Sequence, residues 1–202
     1  MKIDNIRVYD LDEAILASGL PMLAEYNTKQ LGYDLHLLYK ENRNSKHFKR
    51  AVKLANAAIG SGHGNFLSGI LVSVNITATV KWWEQFQRYH FKQIVSSQST
   101  MHRLRRMVQE KTIRFNEKTD HLVIDLFMAM AENEYVTDEE LAYSCPMGLE
   151  LTARITTNYL QLKTMYHQRK NHKLSEWLEF CDWVETLPYS KEFITVTEIN
   201  GN

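Results

Sequence analysis

Hydrophobic residues recur along this chain with two different periods. The clearest case of a period of two is LSGILVSVNITATV, from Leu67 to Val80, where Leu71, Ser73, Asn75 and Thr77 alternate with Val72, Val74 and Ile76. Strict alternation among β-branched residues predicts a strand with one buried face. Ile3, Ile6 and Val8, set among polar neighbours, predict a second strand over Ile3–Tyr9. Elsewhere helical spacing takes over. Leu11–Tyr26 reads as a helix interrupted near Gly19 and Pro21. Lys46–Ile59 puts Phe48, Val52, Leu54, Ala55 and Ala58 at helical intervals and stops at Gly60 and Gly62. Gly62-His63-Gly64-Asn65 then reads as a loop.

Further along, Val80–Phe91 gathers Trp82, Phe86 and Tyr89 on one helical face, with Gln85 and Arg88 close by. Gln93–Arg103 is polar and irregular, and Met101–Lys111 is basic. Asp120–Asn133 reads as an amphipathic helix, Asp138–Tyr143 as a short one, and Ser175–Glu185 as the last before Pro188. Strands early and helices late predict an α+β fold rather than a doubly wound parallel sheet. Three prolines and eight glycines mark no linker, so residues 1–202 read as a single domain.

The longest predicted helix opens after Pro146 and runs to Arg169. Leu151, Ile155, Leu162 and Met165 form one stripe on it, with Asn158 inside the stripe and Arg169 three turns beyond Asn158. A buried amide without partners costs about 1–3 kcal/mol. Asn158 is therefore either satisfied by nearby backbone, with Arg169 reaching solvent, or the two line a pocket in which Arg169 meets an anion or carbonyl oxygen. Spacing leaves both open.

Composition narrows the partners. Lys+Arg and Asp+Glu are 24 each, so no global field draws the chain to nucleic acid or anionic lipid. No apolar run has transmembrane length, and the start has no signal-peptide pattern. Two cysteines, Cys145 and Cys181, make no disulfide framework and fit a reducing, cytoplasmic setting. Cys145 reads as a small buried residue at a helix start, unactivated. No metal motif occurs: His167 and His172 are wrongly spaced for one helix face.

CPMGLELTARITTNYLQLKTMYHQR resembles the segment of flavin-dependent thymidylate synthases in which a proline is followed twelve positions later by a flavin-contacting asparagine, and eleven later again by a nucleotide-contacting arginine. Asn158 and Arg169 fall on those positions, and His172 with Trp177 resemble the His…Gln-Trp-Glu that follows. Upstream, Gly62-His63, the Leu67–Val80 strand and Gln85-Phe86-Gln87-Arg88-Tyr89-His90 resemble a second block, Gly-His, strand, Gln-Trp-x-Arg-His-Arg. Ser96-Ser97-Gln98-Ser99 stands where the family has Asn-Glu-x-Ser.

The resemblance, covering residues 62 to about 178, implies a mainly antiparallel central sheet flanked by helices. It implies methylation of dUMP to dTMP with FAD, methylenetetrahydrofolate and NADPH, in a cytoplasmic homotetramer. His63, Asn65, Arg88, His90 and Asn158 would hold the flavin. Gln85, Ser97, Gln98, Arg103 and Arg169 would hold the pyrimidine deoxynucleotide, with Arg169 and Ser99 nearest the chemistry. Several family residues are replaced: Ser97 stands for the glutamate, Ala142 for a phosphate-binding arginine and Leu160 for another arginine. Each lost charge-assisted contact is worth about 1.5–3 kcal/mol. His102, Arg103, Arg105 and Arg106 are candidate replacements or else a solvated face. These departures motivate two alternatives, modification of another pyrimidine nucleotide and a non-catalytic nucleotide-binding scaffold.

Overall fold

Glu150–Asn158 is a β-strand, not the first half of a long helix. Its sequence ELTARITTN holds four β-branched residues, and Ala153, Ile155 and Thr157 are buried in alternation with less buried neighbours. β-branched side chains lose rotamer freedom in a helix and pack well on a pleated surface. The period of two therefore prevails over the helical spacing of Leu151 and Ile155, and the helix starts only at Tyr159.

The computed structural model describes residues 1–57 and 61–196. In chain order the elements begin with β1 (Lys2–Tyr9), α1 (Leu11–Ala17), α2 (Thr28–Glu41) and α3 (Lys46–Ala55). A 3-10 segment, His63–Gly69, leads into β2 (Leu71–Thr79), α4 (Val80–Phe86), β3 (Lys92–Ser97) and α5 (Thr100–Gln109). Then come α6 (His121–Glu132), α7 (Asp138–Tyr143), β4 (Glu150–Asn158), α8 (Tyr159–Arg169), α9 (Ser175–Glu185) and α10 (Ser190–Phe193). The class is α+β, with an antiparallel four-stranded sheet in the order β1-β2-β4-β3, flanked by helices.

The chain forms two compact units, Met1–Asn5 with Val74–Ile155, and Ile6–Ser73 with the chain from Thr156 onward. In the first, the Thr77 and Thr152 hydroxyls meet at 2.8 Å. In the second, Thr156 donates to Ser73 at 3.4 Å. One number rises as the other falls, which is the antiparallel register. The first unit packs Leu104, Val108, Phe127, Ala131, Leu141 and Leu149 into a core. Elsewhere in the same unit Trp82 stacks on Phe86 at 4.7 Å. The second unit buries Ile15, Ala51, Leu67, Leu162 and Trp177 completely. Its Phe48 packs against Tyr189 and Phe193.

Several sequence expectations are corrected. Gln93–Arg103 is not irregular: β3 is a polar strand at the sheet edge, where only one side needs a ladder partner, and α5 follows. The helix predicted from Val80 ends at Phe86, and the strand predicted from Leu67 begins at Leu71 after the 3-10 segment, which also takes in His63–Asn65. The predicted helix end at Ala58–Gly60 lies outside the described residues; α3 is helical to Ala55. α2 escaped prediction although Leu31, Leu35 and Leu38 have helical spacing, because little of it is buried; Asn27 caps it through Lys29 N at 3.0 Å. A short α10 follows Pro188. At the break near Gly19 the missing side chain leaves room for an arginine. Arg50 lies against Gly19, where a Cβ would sit 2.6 Å from the guanidinium carbon. Its donors bind Ile15 O and Leu16 O at the end of α1, and Ser18 Oγ.

Val72, Val74, Ile76 and Ala78 are fully buried along β2. Ile76→Ala is expected to lower the unfolding free energy by about 2–5 kcal/mol, read by urea denaturation. His47, His167 and His172 titrate below the usual histidine range, with burial as the leading cause in each. The folded state thus favours their neutral forms, while the unfolded chain takes up protons near pH 6.5. Their contribution is present above that pH and is lost as pH falls through it. The urea midpoint is expected to drop between about pH 7.5 and 5.5, before carboxylates begin to protonate.

Candidate functional site

The second unit holds four of the residues singled out from sequence. His63 and Asn65 are exposed in the 3-10 segment. Asn158 and Arg169 mark the two ends of α8. Asn158 is not within a buried helical stripe: as the last residue of β4 it is extended, and its Oδ1 accepts from Gln161 N at 2.8 Å, so it is the N-cap. Nδ2 of its amide has no partner among the described residues, which leaves a donor beside the α8 N-terminus. Eleven residues of helix separate this cap from the far end, a length of about 16 Å. There the Arg169 guanidinium lies over the Trp177 ring, 4.6 Å from its centre. His172 packs against the same indole, and its Nδ1 accepts from Leu174 N. Trp177 is completely buried, so the guanidinium rests on a ring that is itself held by packing.

The first unit holds the remaining candidates. Gln85 is half-buried in α4, while Arg88 and His90 are exposed in the turns after it. Gln98 pairs with Thr152 as if it continued β3. Its N–H donates to Thr152 O at 3.0 Å, and Thr152 N–H donates to its side-chain Oε1 at 2.8 Å. Ser99 caps α5, with Oγ accepting from His102 N at 3.3 Å. Ser97, Gln98 and Thr100 line a cleft of about 410 Å³ together with Trp83, Leu151 and Thr152. Apolar surfaces and hydroxyl or amide edges thus meet in one concavity, the usual composition of a small-molecule site. Ser99 itself does not line it.

Trp83, Leu151 and Thr152 were not foreseen as site residues. Trp83 is tied in place by donation from Nε1 to Leu151 O at 3.0 Å. The signal for Leu151 and Thr152 was the period of two in ELTARITTN, masked by the helical reading of the same segment.

The basic cluster of α5 is largely structural. Arg105 donates to Asp138 at 3.0 Å and to the carbonyls of Ala131, Asn133 and Val136, closing the end of α6. Arg106 bonds Glu110, four residues on. Arg103 stays exposed, 3.9 Å from Glu110. Cys145 is half-buried in a loop before Pro146, not at a helix start. Burial pushes its thiol up to about 11, and that of Cys181 to about 12. Neither is an activated nucleophile.

No known family's sequence profile matches this chain, and no curated protein matches it in sequence. Solved structures do. A flavin-dependent thymidylate synthase, ThyX, from Helicobacter pylori complexed with FAD and dUMP matches with a TM-score of 0.67 at 13% identity, over 96% of this chain and 98% of that one. A second structure of that enzyme with FAD and dUMP gives a TM-score of 0.72 at 12% identity, over 100% of both chains. The UMP/dUMP methylase PolB from Streptomyces cacaoi, bound with 5-Br dUMP, gives 0.59 at 11% identity, over 98% of this chain and 96% of that one. The chain therefore has the fold of flavin-dependent thymidylate synthases along its length.

Asn158 is expected to matter for stability whatever it binds. Asn158→Ala should lower the unfolding free energy by about 1 kcal/mol, and Asn158→Ser should recover most of it, because serine also caps. Thermal or urea unfolding of the three proteins checks this.

Proposed function

We propose that this chain is a divergent flavin-dependent enzyme that methylates dUMP to dTMP, using FAD, methylenetetrahydrofolate and NADPH. The observation that carries the reading is the end-to-end correspondence with structures whose ligands are FAD and dUMP. The chain's own groups fit such ligands. Asn158 keeps an amide donor beside the α8 N-terminus, where an acceptor or an anionic group is favoured. The Trp177 ring supports the Arg169 guanidinium at 4.6 Å. The cleft bounded by Ser97, Gln98 and Thr152 offers apolar walls with polar edges.

FAD, when bound, supplies the hydride that reduces the transferred one-carbon unit. In the proposed site Asn158 donates to the flavin, with His63, Asn65, Arg88 and His90 as the remaining flavin contacts. Arg169 binds the pyrimidine and polarises a ring carbonyl, withdrawing electron density from the ring without a cysteine nucleophile. Gln85, Ser97, Gln98 and Arg103 hold the nucleotide, and Ser99 lies near the base. The assembly is a homotetramer in the cytoplasm. Support for a subunit contact comes from α6, where Leu122, Val123 and Leu126 are exposed side by side.

A second reading, modification of a different pyrimidine nucleotide, is favoured by Ala142. Where the family carries a phosphate-binding arginine, this chain has a methyl group packed against the core of the first unit.

Purified protein mixed with FAD and passed through gel filtration is expected to retain flavin at about one per chain, seen in its visible spectrum, and Asn158→Ala to weaken that retention. With dUMP, methylenetetrahydrofolate and NADPH, dTMP is expected, and Arg169→Ala should cost roughly a hundredfold in kcat/KM, in line with the loss of one electrostatic donor. Flavin retention with turnover of another pyrimidine nucleotide would select the second reading. Absence of flavin binding would leave a nucleotide-binding scaffold.

A further inference from the structure

A cavity of about 270 Å³ lies in the second unit among α1, the turn after it, α2 and α3. None of the residues assigned above to flavin or nucleotide lines it. Leu20, Leu23, Leu31 and the Tyr26 ring form apolar walls, and three carboxylates, Glu13, Glu25 and Asp34, also line it. Its one guanidinium, Arg50, is already engaged with the end of α1 and with Ser18.

At the inner end sits His47, whose side chain is only 7% exposed. Its Nδ1 lies 3.4 Å from Arg50 Nη1. A guanidinium can only donate, so Nδ1 accepts and the ring proton is on Nε2. Nε2 comes within 3.4 Å of Asp34 Oδ1 without forming a well-made hydrogen bond. Burial favours the uncharged imidazole. Asp34, mostly buried itself, accepts a hydrogen bond from Gln30 Nε2 at 2.9 Å and lies within the electrostatic reach of Arg50, whose own donors are taken by Ile15 O, Leu16 O and Ser18 Oγ. Neither Glu13 nor Glu25 forms an ion pair among the described residues. Three carboxylates against one guanidinium give the lining a net charge of two negatives. A carboxylate withdrawn from water beside apolar walls is stabilised by a cation that brings its own donors.

We infer that this cavity is a separate binding site for a small organic amine with an apolar body. The ammonium group pairs with Asp34, the body lies on Leu20, Leu23 and Leu31, and the face of Tyr26 adds a cation–π contact. The volume admits a fragment-sized molecule, below the range of about 300–1,000 Å³ typical of larger ligands. The same negative field repels phosphates, which separates this site from the nucleotide site proposed above.

The test is a ligand-observed NMR titration of the full chain with 2-phenylethylamine, beside its neutral and anionic analogues 2-phenylethanol and phenylacetate. The amine is expected to bind saturably at one site, the alcohol at least about tenfold more weakly, and the acid not at all. Asp34→Asn should bring the amine down to the level of the alcohol. Leu20→Trp, at a position that is half exposed and outside the core, should fill the cavity and abolish binding of both. Circular dichroism verifies folding of each variant; if Asp34→Asn does not fold, Leu20→Trp decides. Failure of the amine to bind, equal binding of all three probes, or amine binding unchanged in a folded variant would overturn the inference.

Discussion

The pairing of β2 with β4 is the constraint on which the other features depend. Val72, Val74, Ile76 and Ala78 on one strand, and Ala153, Ile155 and Thr157 on the other, put one face of each strand in the core. A slip of one residue would turn Asn75, Thr77 and Arg154 inward, burying amide, hydroxyl and guanidinium groups without partners. The register is thus set by burial, and both ends of the ladder inherit it. In the first unit Val80 N–H donates to Leu149 O, so the ladder continues into the start of α4. In the second, Tyr159 N–H donates to Ile70 O, which does the same at the start of α8.

Polar residues at these junctions serve two purposes at once. Thr79 caps α4, Ser99 caps α5 and Asn158 caps α8, each through a side-chain oxygen. A cap is worth about 1 kcal/mol, enough to keep such residues without any ligand. Capping uses only the acceptor, however. The Asn158 amide retains its donors and the Ser99 hydroxyl retains its proton, so the structural role leaves the chemical one open. The cap also fixes the side chain's rotamer, which is what a binding group at a helix N-terminus requires.

Equal numbers of acidic and basic residues do not mean that charges are idle. Arg50 closes the end of α1 and Arg105 closes the end of α6, each on carbonyls that the helix cannot satisfy itself. Basic residues that look like a phosphate grip in sequence are in this way partly occupied with backbone. The same use of Arg50 commits its donors to backbone and Ser18, so Asp34 feels its charge without receiving a hydrogen bond from it. The acidic character of the neighbouring cavity comes from its three carboxylates, Glu13, Glu25 and Asp34, set against that one arginine.

Much of the architecture was legible from local pattern. The alternation in β2 and the spacing in α3, α6 and α9 are short-range signals that burial reinforces. The resemblance around Asn158 and Arg169 likewise led to the fold that the solved structures share. The segment misread as one long helix is the one where two periods coincide. Leu151, Ile155, Leu162 and Met165 fit a helix, Ala153, Ile155 and Thr157 fit a strand, and only pairing with β2 selects the strand up to Asn158. β3 was hidden for the same reason, since a polar edge strand takes its ladder partner from β4 rather than from its own sequence. The sequence by itself determined which residues seek burial, because that is a property of each side chain and its near neighbours. Tertiary structure alone decided which backbone the ambiguous segments adopt and which polar atoms remain unsatisfied, because those depend on partners distant in the chain.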